Sequence, residues 1–222
     1  VTGRPLVPVS RGLLLALTAA TASRSLLAAG FAWFLSLGAV YAADAGPPLA
    51  AMAVTAALLL PISAWAAAAA LAATGADLRA LLIAADGRLR ALLVDALLPL
   101  LTVVAAAVLG VAAPLLFDPH PAPAGDWLLG FLFHLLCGAV GSGLALLFSA
   151  LQLSRGAQAL LVVAGSVLSG RLRWLPPAGP VLAGWGAGTK PSAGFAAWSL
   201  VGPLVVTGLL VVATAIARRR RV

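Results

Sequence analysis

Apolar residues run through this chain in long blocks, separated by short polar or proline-rich punctuation. Six blocks read as membrane spans, near residues 26–41, 49–73, 92–117, 127–151, 157–169 and 196–217. A span needs about 20 mostly apolar residues, and the fifth block is shorter than that. The segment 1–23 carries Arg4 and Arg11 before Leu13, and Ser23-Arg24-Ser25 interrupts it. That pattern predicts a helix lying in the membrane interface rather than across it. Ala42-Ala43-Asp44 has the form of a signal-peptide cleavage site. The apolar run before it begins late and five more blocks follow, so a retained anchor is expected. Asp44 to Pro48 and the proline-rich Asp118 to Asp126 read as loops, and residues 171–195, with Pro176, Pro177, Pro180 and several glycines, read as irregular.

One polar insert, residues 75–90, lies between the second and third blocks and has a helical pattern of its own. Leu78, Leu81 and Leu82 recur at the spacing of one helix face. Asp77 stands where a carboxylate suits a helix N-terminus. Asp86-Gly87 predicts a turn before Arg88 leads into the next block. The leucine stripe alone suits two settings equally well: a helix resting on lipid headgroups, or a helix seated in a partner's groove.

Composition supports the bilayer as solvent. The chain is 63% hydrophobic and 9% charged, against about 25% charged in soluble domains. A single cysteine, Cys137, excludes an intrachain disulfide and zinc sites built on paired cysteines. The net charge of +8 does not point to nucleic acid, because the basic residues sit at block ends, where they set topology or meet anionic lipid. With the N-terminus in the cytoplasm, Arg4, Arg11, Arg24, Arg79, Arg88, Arg90, Arg155 and Arg218 to Arg221 fall inside, and Arg171, Arg173 and Lys190 outside. Both termini are therefore expected in the cytoplasm, and Trp127 and Trp174 near the outer interface. The excess of Arg, Ala, Leu and Gly suggests a GC-rich bacterial genome, which makes the inner membrane the expected location.

Candidate chemistry is sparse. His134 is the one histidine inside a block, and an intramembrane ionisable group either serves a pathway or is hydrogen-bonded within a helix interface. Ser142, between Gly141 and Gly143, has no histidine after it to act as a base, and Gly141, Ala145 and Ser149 have the small-residue spacing of a packing face. His134 and Cys137 are too few to hold a metal. Gly186 to Ser192 lacks the Gly-Lys-Ser/Thr ending of a phosphate loop. Asp95, near the inner end of the third block, is expected to pair with Arg88 or Arg90. Ser36, His134, Ser142 and Ser149 are the candidate polar groups along a substrate pathway.

Taken together, the interfacial segment, six spans, the insert Asp77-Leu-Arg-Ala-Leu-Leu82 with its Ala84-Ala-Asp-Gly87 break and Arg88-Leu-Arg90, and the outer Trp174-Leu-Pro-Pro177 with Gly179-Pro180 resemble the membrane subunits of type-2 ABC exporters. This chain has Asp77 where that family often has Glu, and Asp-Gly where it has a proline turn. The resemblance implies an all-α polytopic permease, residues 1–222 forming one domain, with six transmembrane helices, an N-terminal interfacial helix, a cytoplasmic coupling helix and an extracellular re-entrant segment. It implies that Asp77, Leu78, Arg79, Leu81, Leu82, Asp86 and Arg88 meet an ABC ATPase subunit. ATP and Mg would be bound by that partner and no cofactor by this chain. A second permease copy or a related permease would complete the pathway in the lipid membrane. The alternatives are a membrane-embedded enzyme, which needs a polar constellation at one depth, and a non-transporting membrane assembly protein, which needs no partner-docking insert.

Overall fold

Every regular element among the described residues is an α-helix. The computed structural model describes residues 9–42, 46–117, 119–186 and 191–219, without the side chains of 9–11, 76, 85, 86, 88–90 and 219. Arg4, Asp44, Asp118, Lys190, Arg220 and Arg221 lie outside the described residues, as do the side chains of Arg11, Asp86, Arg88, Arg90 and Arg219. In chain order the helices are α1 (Val9–Thr21), α2 (Arg24–Tyr41), α3 (Pro48–Ala73), α4 (Ala76–Asp86), α5 (Arg88–Phe117), α6 (Ala124–Ala150), α7 (Arg155–Arg171), α8 (Ala178–Trp185) and α9 (Ala193–Arg219). Five of them, α2, α3, α5, α6 and α9, are long and apolar enough to cross a membrane, which is consistent with a helical membrane protein.

α2 and α7 start two residues before their apolar blocks, because capping rather than hydropathy sets where these helices begin. Ser23 and Ser154 accept hydrogen bonds from the backbone N–H of Leu26 and Ala157, which satisfies one open donor at the start of α2 and of α7. Pro48 opens α3 at a position where its missing N–H costs nothing. Inside the helices, hydroxyls bond back to their own turn: Ser36 to the Ala32 carbonyl, Ser63 to Leu60, Thr102 to Pro99, Thr207 to Pro203. In lipid no water is available to do this, so local return bonds let polar residues sit in an apolar block.

α3 and α6 form the largest helix pair and supply nearly half of the buried residues among those described. Between them lie Met52, Ala56, Leu60, Phe133, Cys137 and Val140, joined by Val181 from α8. Glycines bring the backbones close. A Cβ on Gly141 would overlap the Leu60 carbonyl and the Ser63 hydroxyl, and one on Gly130 would overlap the Met52 side chain. Around this pair, α2, α5 and α9 turn large apolar side chains outward, among them Phe31, Phe34, Leu116 and Leu209. Lipid is the solvent that such a surface fits.

α1, α4 and the start of α5 gather at one end of the bundle, where Ala16, Ala20, Leu82, Ala91, Val94 and Leu98 form a second cluster. The segment expected in the interface therefore packs one face on protein, while Leu14 and Leu15 on its other face are exposed. α7 has 17 residues, about 25 Å of helix. It starts at the α4 end, and a turn at 172–177 leads into the short α8. The region expected to be irregular thus contains a helix. α8 is held by Trp185 donating to the Ser199 hydroxyl, and the turn by Trp198 donating to the Trp174 carbonyl.

The seam makes a stability prediction. Gly141→Leu should cost about 1–3 kcal/mol through overpacking, lowering the thermal unfolding midpoint in detergent. Gly165→Leu on α7, where a Cβ meets nothing within 4 Å, should leave that midpoint unchanged or raise it through better helix propensity.

Candidate functional site

α4 is set off by two glycines whose backbone only glycine adopts easily. Gly75 has φ 55° and Gly87 has φ 83°. They detach an 11-residue helix from α3 and α5 at one end of the bundle. Asp77 lies in its first turn, exposed. The leucine stripe divides. Leu82 is 7% exposed and packs inward with Ala70 and Val94, and Leu78 is partly buried against the same cluster. Leu81 is 66% exposed and Ile83 43%. Inward packing sets the helix on the bundle and leaves Leu81 as its outward apolar group. Asp86 and Arg88 occupy its end and the start of α5.

Arg79 points back into the protein. Its guanidinium donates to Asp95 Oδ1 at 3.2 Å, and Arg218 Nη1 lies 3.5 Å from Asp95 Oδ2. The Asp95 side chain is 8% exposed. One buried carboxylate therefore ties three elements together: α4 through Arg79, α5 through Asp95 itself, and the end of α9 through Arg218. The expected partners, Arg88 and Arg90, have side chains outside the described residues, and the contacts seen are to Arg79 and Arg218. Local spacing favoured the nearer arginines; only the packed bundle brings residue 218 beside residue 95.

The four candidate pathway residues separate into two places. Ser36 and Ser149 line one pocket of about 940 Å³, bounded by α2, α3, α6 and α7 and open beside Trp65 and Val163. Arg79, Arg155 and Gln158 line the same pocket. His134 and Ser142 lie elsewhere, inside the helix packing. His134 Nδ1 is 2.7 Å from the Gly130 carbonyl and Nε2 is 3.0 Å from Thr55 Oγ1. A carbonyl only accepts, so Nδ1 donates, and in a neutral ring Nε2 accepts a hydrogen bond from the Thr55 hydroxyl. Trp33 meets the ring edge-on, with centroids 5.9 Å apart, and Gly110 leaves room for it. This is a closed helix junction, fully occupied by its partners. Ser142 is buried in α6 with its Oγ unpartnered. Among the described residues no three His, Cys, Asp or Glu side chains gather as a metal site would require.

The Asp95 junction is testable. Asp95→Asn removes a buried carboxylate from between two arginines and should destabilise the protein by about 2 kcal/mol. Arg79→Gln combined with Asp95→Asn should cost less than the two single changes added, and the shortfall, read from thermal unfolding, measures their coupling.

Compared with known proteins, the chain matches no family model, no curated protein and no solved structure.

Proposed function

We propose that this chain is the permease half of an ATP-driven exporter of the type-2 ABC kind, with ATP hydrolysis on a separate subunit. The observation that carries the reading is α4. It is a short helix between two long apolar helices, freed by glycines at both ends, with Leu81 outward and Arg79 tied inward to Asp95. A helix that only rested on lipid headgroups would need no ionic tie to two other elements.

In this reading α4 is the coupling helix and lies in the cytoplasm with both termini. α7 and α8 together make the sixth crossing, with the turn at 172–177 as its outer re-entrant break. That Arg155 lines the same pocket as Arg79, and that Arg218 lies beside Asp95, supports this path, since the chain must traverse the bundle between residues 155 and 193. ATP and Mg bind on the partner. A second copy of this chain, or a related permease, supplies the facing wall of the pathway in the inner membrane.

The mechanism is a two-state equilibrium biased by the ATPase. A partner that pulls or rotates α4 moves Arg79. Breaking the Arg79–Asp95 pair would strand a buried charge, so the low-cost response is for the inner ends of α5 and α9 to move with α4. Gly75 and Gly87 allow the helix to tilt without unwinding its neighbours.

The test is co-purification of the tagged chain after co-expression with the products of its neighbouring genes. A stoichiometric ATPase is expected, and Leu81→Asp should weaken its retention at least about tenfold, while Gly165→Leu leaves it intact. Full retention and transport with Leu81→Asp would move the docking face off α4. A clean oligomer with no ATPase would overturn the reading.

A further inference from the structure

The pocket beside α3 changes chemistry along its length. Its mouth, at the α4 end, carries Ser23, Ser25, Arg79 and Arg155, and its inner part is walled by Leu58, Ile62 and Val162. Along α3 it reaches from Ala73 to Leu58, about 22 Å of helix at 1.5 Å per residue. Half of a bilayer's hydrocarbon core is about 15 Å. The pocket is therefore long enough to run from headgroup level to mid-bilayer depth. Trp65 stands at its edge, exposed, its indole N–H donating to Ser25 Oγ at 3.1 Å.

The charge at the mouth is one-sided. Among the described residues no aspartate lines the pocket. Arg155 is exposed and has no ion-pair partner among the described residues. Arg79 shares Asp95 with Arg218, and its Nε is buried without a hydrogen-bond partner. Of the two guanidinium groups that face the pocket, Arg79 shares its carboxylate and Arg155 has none among the described residues.

We propose that this pocket holds an acyl chain of an amphiphile with an anionic head, taken from the lipid leaflet at the α4 end. The phosphate or carboxylate sits between Arg79 and Arg155, with the Ser23 and Ser25 hydroxyls beside it. The chain lies along α3 toward Leu58 and Ser36. The length, the apolar walls and the unbalanced cationic mouth each select a different part of the same molecule. The proposal does not rest on the exporter reading, since the occupant binds whether it is carried or stays as a structural lipid.

The experiment is native mass spectrometry of the full chain, released from detergent after exposure to equal amounts of phosphatidylglycerol and phosphatidylcholine. Two arginines near the surface are expected to favour phosphatidylglycerol by about 30-fold. Arg155→Gln, an exposed change at the start of α7, should reduce that preference about fivefold. Ala159→Trp, which fills the pocket from its exposed wall, should abolish retention of both lipids in a protein that still elutes as a single species. Equal retention of the two lipids, or a preference untouched by Arg155→Gln, would overturn the proposal. So would displacement by inorganic phosphate as effective as by phosphatidylglycerol, which would make the mouth a free-anion site. Disulfide cross-linking of Ala159→Cys into a dimer of this chain would overturn it too, by showing that a second copy fills the groove.

Discussion

The close approach of α3 and α6 is the constraint on which the other helices depend. In lipid there is no hydrophobic force to press apolar helices together, so association rests on contact area and on hydrogen bonds sheltered between them. Gly141 against the Leu60 carbonyl and Gly130 against Met52 provide that contact. Thr55 and His134 add a polar tie across the same seam. With the pair in place, α9 packs on α6, α2 packs on α3, and α8 fits Val181 into the seam's outer part. α2 and α5 each bury one stripe against the pair, Ala29, Trp33, Leu37 and Tyr41 on α2 and Leu98, Val103, Ala107 and Ala113 on α5, and turn their other large apolar side chains outward.

The α4 end works by a different physics. There, small alanines let α1, α4 and α5 close on Leu82, and a buried carboxylate collects two guanidinium groups. A buried ion pair adds little net stability over an apolar core, but it sets geometry strongly, because separating its members strands a charge. That makes Asp95 a positional tie between a short helix bounded by glycines and two long ones. Arg79 serves both this tie and the mouth of the α3 pocket. In the proposed mechanism, movement of α4 and occupancy of the pocket would be linked through this one side chain.

Much of the fold was legible without coordinates. Long apolar blocks bounded by proline and glycine located α2, α3, α5, α6 and α9 to within a few residues, and the leucine spacing after Gly75 located α4. The ends were less legible, since Ser23 and Ser154 extend their helices by capping, which hydropathy does not register. α8 was hidden, because Pro180 and its neighbouring glycines read as loop while tertiary contacts with α3 and α9 hold eight residues helical. Of the candidate polar residues, Ser36 and Ser149 share a pocket, whereas His134 and Ser142 are absorbed into packing.

What the sequence by itself determined is the solvent, the all-helical class and the separate insert, because hydropathy and its period are local properties of a chain. What only the tertiary structure decided is which polar groups meet. Asp95 meets Arg79 and the distant Arg218, Leu82 turns inward while Leu81 stays out, and Arg155 reaches the same pocket as Arg79. Those outcomes depend on the rotation of each helix about its own axis, which close packing against α3 and α6 sets and which no local pattern encodes.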